Sequence, residues 1–157
     1  MAAKTVVGAL LIAAILTGCS SAGSSTSSAK TGTTATAACK QAYLTWKNGP
    51  AKPAAAQFTA AQSALSAAAS QENNADGIAA AAEAEGQAAA NLSAFPVPAC
   101  ADPSGFLAAA LTNVQTAAEN VASASDLAEL VTALAPLKAV PSLEGDFTAE
   151  LKRTTGI

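Results

Sequence analysis

The sequence predicts an all-α protein, an antiparallel helical bundle of about five helices cross-linked by one disulfide. Three observations support this fold class. Ala accounts for 45 of the 157 residues, and Ala has the highest intrinsic helix propensity. Apolar residues recur every three to four positions between interruptions rich in Pro and Gly. No segment alternates convincingly between apolar and polar residues as a half-buried strand would, so helices must pack on helices.

Proline and glycine mark the first two helices. The first predicted helix covers residues 36–48 and ends at Gly49 and Pro50, where Gly can close the last turn and Pro stops the helix. Pro53 is expected at the first position of a second helix, which continues to about Ser70. Because the apolar stripe of this second helix is mostly Ala, a neighbouring helix can approach it closely.

Asparagine marks the start of the third helix, which we expect Asn73 or Asn74 to cap. Pro96 ends it, and Gly86 lies near its inner face. The predicted inner face comprises Ile78, Ala82, Ala89, Leu92 and Phe95. The predicted outer face comprises Glu83, Gln87 and Asn91.

The pair Asp102 and Pro103 reads as a cap followed by a helix start and predicts the fourth helix. Its predicted inner face comprises Leu107, Leu111, Val114, Ala118 and Val121. Asp102 therefore separates this clearly amphipathic run from the turn that contains Cys100.

Two shorter runs complete the chain. Ser125 or Asp126 caps a fifth helix that stops at Pro136, and Pro141 opens a last one that ends near Lys152. The residues expected to face inward are Leu127, Leu130, Val131 and Leu134 in the fifth helix, and Leu143, Phe147 and Leu151 in the last.

The N-terminal residues 1–18 have the composition of a signal peptide. Lys4 is followed by fourteen uncharged residues, Thr5 to Gly18, and this run is shorter than the ~20 residues needed to span a bilayer. Leu16, Thr17, Gly18 and Cys19 follow one another at its end.

The sequence Leu16 to Cys19 resembles the lipobox of bacterial lipoproteins. The resemblance implies cleavage before Cys19 and a diacylglyceryl group on its sulfur, which would anchor the protein to the extracytoplasmic face of the cell membrane. Two acyl chains hold a protein on a bilayer stably, whereas a single chain does so only marginally. The alternative is an ordinary signal peptide followed by a chance Cys.

Residues 19–37 contain the lipidated Cys and a tether rich in Ser, Thr, Gly and Ala, with no large apolar side chain, which predicts a flexible segment. The Ala-rich helical domain is expected over residues 38–157. This layout resembles small helical lipoproteins of high-GC Gram-positive bacteria, a resemblance that transfers no binding residues.

Cys39 and Cys100 form an even pair in an exported segment, for which a structural disulfide is the default. A metal or redox role lacks support, because there is no Cys-x-x-Cys motif and no His. No metal site and no cofactor are expected.

The composition argues against several functions. The absence of His excludes the Ser-His and Cys-His couples of many hydrolases, and the net charge of -3 disfavours nucleic acid. Glu83 and Glu85 point to different sides of a helix. We expect the carboxylates of Glu144, Asp146 and Glu150 to form a solvated face, so no catalytic residue is assigned.

Tyr43 and Trp46 lie three residues apart on one helix face. They belong either to the core or to an exposed binding surface. Two functions remain open: a non-enzymatic module that binds another envelope protein, or a lipoprotein that binds or carries a small ligand between its helices, with Tyr43 and Trp46 in the wall of the site.

Overall fold

The computed structural model describes residues 32–71 and 74–157, with side chains from residue 35 onward. The described chain is helical and contains no strand, which confirms the all-α class. It has six α-helices rather than about five: α1 (Gly32–Asn48), α2 (Ala51–Ala69), α3 (Ala75–Ser93), α4 (Phe106–Val121), α5 (Leu127–Ala133) and α6 (Val140–Thr155). A 3-10 helix, Ala135–Ala139, joins α5 to α6.

Helix α3 lies between α2 and α4 and contacts both along its length. The close approach of α3 and α4 depends on Gly86, which lies on the inner face as predicted, since a Cβ at this position would overlap the Cβ of Ala118. Helix α6 packs on α1 and α4, and α5 packs on α3 and α4.

The buried side chains form three clusters. The largest joins α2, α3, α4 and the start of α6, and its bulkier members are Phe58, Leu92, Leu111, Val114 and Val140. A second surrounds Tyr43, Phe147 and Leu151, and a third contains Leu65, Val121 and Leu130. Ala51 and Ala89 are fully buried, so Ala fills space where two helices meet closely.

Two helices begin earlier than predicted. Helix α1 begins at Gly32, inside the predicted tether of residues 19–37. Helix α2 begins at Ala51, with Pro50 at its N-cap and Pro53 at its third position rather than its first. Proline is tolerated throughout the first turn, because the N–H groups there have no partner within the helix.

The caps of α3 and α4 also differ from the prediction. Asn74 occupies the N-cap of α3, but its side chain does not cap the helix and instead donates to the carbonyl oxygen of Ala68. Helix α4 begins at Phe106, later than Pro103 suggests. Asp102 still performs the capping role, because its carboxylate accepts from the backbone N–H groups of Phe106 at 2.8 Å and Leu107 at 3.0 Å.

Helix α5 is oriented differently from the prediction. Leu130 is buried, but Leu127 and Val131 are 51% and 62% exposed. Asp126, one of the two predicted caps, accepts from the backbone N–H of Glu129. Because α5 has only seven residues, its short apolar pattern did not determine which side faces the core.

The connection between α3 and α4, residues 94–105, is attached to α1 and α6. Trp46 donates from its indole Nε1 to the carbonyl oxygen of Phe95 at 2.7 Å. Phe95 lies beyond the end of α3 and is exposed, not on its inner face. Cys39 of α1 and Cys100 lie at disulfide-bonding distance, with their Cα atoms 5.7 Å apart.

Candidate functional site

The residues singled out from the sequence fall in two parts of the chain. Cys19 and the signal peptide of residues 1–18 lie outside the described residues, as does most of the tether, so lipid attachment stays a prediction. Cys39 of α1 and Cys100 of the connection between α3 and α4 lie close enough for a disulfide between them.

Tyr43 and Trp46 stack on each other, with ring centroids 5.6 Å apart and an interplanar angle of 30°. Tyr43 is only 3% exposed and packs with Phe147 and Leu151 of α6. Trp46 is half-buried, and its indole N–H is occupied by Phe95. Tyr43 is therefore a core residue and offers no surface to a partner.

The acidic residues of α6 are not the solvated face that the sequence suggested. Glu150 is 7% exposed and accepts from Ser104, through the backbone N–H at 3.1 Å and the hydroxyl at 2.8 Å. It also pairs with Arg153 at 3.1 Å. Burial would raise the pKa of Glu150, but the hydrogen bonds from Ser104 and the charge of Arg153 together lower it. Only Asp146 is solvent-exposed as expected.

A second carboxyl pair lies inside the domain. Glu85 of α3 is 4% exposed. Glu144 of α6 is half-buried, and its Oε1 accepts from the side-chain amide of Gln62 on α2 at 3.2 Å. The other oxygen of Glu144, Oε2, is buried without a hydrogen-bond partner in the described part of the chain.

Both carboxyl groups of this Glu85–Glu144 pair are harder to ionise than in water. Burial and, to a smaller extent, the negative charge of Glu144 together raise the pKa of Glu85 to about 7. Burial also raises the pKa of Glu144, against the opposing effect of the hydrogen bond from Gln62. Charged carboxylates lose hydration when they are buried, and two of them repel each other.

Spacing in the sequence contained a signal for both buried acids. Glu85 follows Ala82 by three residues and precedes Ala89 by four, so it lies on the inner stripe predicted for that helix. Glu150 follows Phe147 by three residues in the same way. An acidic residue on a buried stripe is uncommon, and the sequence interpretation gave charge more weight than position.

The most exposed apolar surface described on a helix is on α5. Leu127 and Val131 are separated by one helical turn and project together. We call these two side chains the α5 patch. An open depression of about 520 Å³ lies between the end of α4 and α5; it is lined in part by Asn120, Ser123 and Thr132 and not by the residues of the α5 patch.

The start of α5 is acidic. Asp126 and Glu129 lie on the same short helix or at its cap, and both are exposed. Glu129 also accepts from the backbone N–H and the hydroxyl of Ser125, each at 2.8 Å. Asp126 in turn accepts from the backbone N–H of Glu129, and the two side chains together hold the start of α5 in an arrangement that resembles a capping box. The patch is therefore an apolar pair on an acidic, well-capped helix.

No helix in residues 32–71 and 74–157 is both long and apolar enough to cross a membrane. The same residues contain no group of three or more acidic or Cys side chains that could hold a metal ion. Comparison of the chain with protein-family models, curated proteins and solved structures finds no match.

Proposed function

We propose that this protein is a lipoprotein anchored to the extracytoplasmic face of the cell membrane. The observation that carries the proposal is the sequence Leu16 to Cys19 at the end of the uncharged run that begins at Thr5. Acylation of Cys19 would anchor the chain, and the following segment would separate the helical domain from the lipid headgroups.

The domain itself is proposed to be an antiparallel bundle. Helices α2 and α3 contact each other and are joined by the five residues 70–74, and short connections between packed helices favour antiparallel neighbours. A disulfide between Cys39 and Cys100 would fix the connection of α3 and α4 to the helix nearest the membrane anchor.

The proposed activity is non-enzymatic binding of another envelope protein through the α5 patch. Leu127 and Val131 are large apolar side chains with half or more of their surface exposed, and neighbouring exposed apolar side chains mark interaction surfaces more often than isolated ones. The exposed Asp126, which precedes Leu127 in the chain, favours a partner that presents Lys or Arg beside an apolar side chain.

Membrane fractionation tests the anchor. Cys19→Ala should move the protein from the membrane fraction to the soluble extracytoplasmic or secreted fraction and abolish labelling by a palmitate analogue. The matched control is Ser20→Ala, which leaves the lipid acceptor intact. Unchanged partitioning of Cys19→Ala would contradict the proposal.

Substitution of the α5 patch tests the binding surface separately from the anchor. Leu127→Lys combined with Val131→Lys should preserve the helical circular dichroism spectrum, because both side chains are exposed, and should remove cross-links to a partner in intact cells. The pair Ala108→Lys and Thr112→Lys, exposed and one turn apart on α4, is the matched control. Cross-links that persist in the α5 variant would rule out this surface.

A further inference from the structure

The Glu85–Glu144 pair takes no part in membrane attachment or in the proposed binding surface. Its members come from different helices, α3 and α6, and Gln62 adds a third helix, α2. Helices α2 and α6 have no direct backbone contact in the described chain. The part-buried hydrogen bond between Gln62 and Glu144 therefore joins α6 to a helix with which it has no direct backbone contact.

The charged groups on neighbouring helices do not neutralise the pair. On the elements that pack against α3 or α6, the exposed titratable groups are Lys40 of α1, Lys52 of α2, Glu119 of α4, Glu129 of α5 and Lys138 of the 3-10 helix. Tyr43 of α1 is buried with Phe147 and Leu151, and Lys47 is half-buried. On α3 and α6 themselves, Asp76, Glu83, Asp146 and Lys152 are exposed, and Glu150 is paired with Arg153. In the described chain, Glu144 is the only charged group that shifts the pKa of Glu85.

Two buried carboxyl groups that interact in this way retain a proton between them under conditions where isolated carboxyl groups would both be ionised. With that proton present the pair has a single negative charge, which the amide of Gln62 partly satisfies. Without it, Glu85 and Glu144 are both negatively charged inside the domain, and the buried Oε2 of Glu144 still has no donor in the described chain.

We propose that the Glu85–Glu144 pair is a proton-controlled latch: the protonated pair holds α6 against the rest of the domain, and loss of the proton loosens α6. The mechanism moves one proton from the pair to solvent and changes no covalent bond. Because Phe147 and Leu151 of α6 pack on Tyr43, loosening α6 also uncovers the aromatic stack of α1.

The single Trp of the chain reports on this movement. Trp46 stacks on Tyr43, and Tyr43 is covered by Phe147 and Leu151 of α6. Separation of α6 should make Trp46 more accessible to acrylamide, and the backbone amides of α6 should exchange with deuterium faster after correction for the intrinsic effect of pH.

The test uses the full chain and compares wild type with Glu85→Gln between pH 5 and pH 8.5. In wild type, the melting temperature should fall by about 5 °C or more across this range relative to the variant, with faster exchange in α6 and greater quenching of Trp46 at high pH. The melting temperature of Glu85→Gln should depend less on pH, because the Gln amide does not lose a proton in this range as the carboxyl group of Glu85 does. Glu83→Gln, exposed and two residues away on the same helix, should behave as wild type.

Three results would overturn the latch. Parallel pH profiles for wild type and Glu85→Gln would show that the pair does not titrate in this range. If the melting temperature of Glu85→Gln depends less on pH than that of wild type, but deuterium exchange of the α6 amides in wild type does not change with pH, titration of the pair does not move this helix. If Glu85→Gln fails to fold, the test rests on deuterium exchange of the α6 amides in wild type. Corrected exchange rates that do not change with pH would then overturn the proposal.

Discussion

Trp46 of α1 and Phe95, 49 positions later in the chain, are joined by a 2.7 Å hydrogen bond from the indole N–H to the backbone carbonyl. The same connection between α3 and α4 meets α1 again at Cys39 and Cys100, and meets α6 where Ser104 donates to Glu150. Three attachments thus hold a non-helical segment in a domain whose core contains many small Ala side chains. Such attachments offset the small apolar area that Ala buries.

The first prediction concerns the cysteine pair. Cys39→Ser should lower the free energy of unfolding by about 4 kcal/mol, because the bond would close a loop of 61 residues in the unfolded chain. Chemical denaturation followed by circular dichroism measures this loss, and Cys100→Ser should match it. A reducing agent should destabilise wild type but not either variant, and an equal effect on all three proteins would contradict the disulfide.

The second prediction concerns Glu150. Glu150→Gln should lower the melting temperature at pH 7, because Ser104 and Arg153 both lose a charged acceptor. The pKa of Glu150 is lowered in the folded protein, so this stabilisation is present above the ordinary Glu pKa of about 4.3 and is lost as pH falls through the folded-state pKa.

Thermal denaturation at pH 7 and near pH 3 checks this sign. Wild type and Glu150→Gln should differ at pH 7 and converge in acid. Asp146→Asn is the matched control, since Asp146 is exposed on the same helix, and it should change little at either pH. A difference in melting temperature between wild type and Glu150→Gln that is larger near pH 3 than at pH 7 would contradict a stabilising role for ionised Glu150.

The third prediction compares two helical glycines. Gly86→Ala should cost about 1 to 3 kcal/mol, because the new methyl group would overlap the Cβ of Ala118. Gly145→Ala should instead stabilise the protein by about 0.5 to 1 kcal/mol, since Gly145 lies in α6 with open space around it. Urea denaturation measures both changes, and similar effects at the two positions would contradict the close packing of α3 on α4.

Much of the fold follows from helix periodicity and from Pro and Gly. The inner faces of the longer helices are largely as predicted, with Leu92, Leu111 and Phe147 all buried, and Phe95 is the exception. The seven-residue α5 departs from its pattern, because so short a helix is oriented by its neighbours rather than by its own apolar residues. Leu127 and Val131 are consequently exposed.

The buried carboxyl groups were predictable in position but not in partner. Glu85 lies on an apolar stripe, which indicates burial. Its interaction with Glu144 joins residues 59 positions apart in the sequence, and no local pattern identifies such a pair. The contact of Ser104 with Glu150 is likewise long-range. Because of this contact, Glu150 is buried and holds the connection between α3 and α4 in place, although its sequence pattern suggested a solvated residue.

Site-specific photo-cross-linking in intact cells tests the central claim most directly, that a membrane-anchored domain binds an envelope protein through α5. A photo-reactive amino acid in place of Val131 should give a discrete protein adduct identified by mass spectrometry. The adduct should be absent when the probe replaces Thr148, which is exposed on α6, and should be lost in Cys19→Ala. No adduct at position 131, or the same adducts from both positions, would contradict the account.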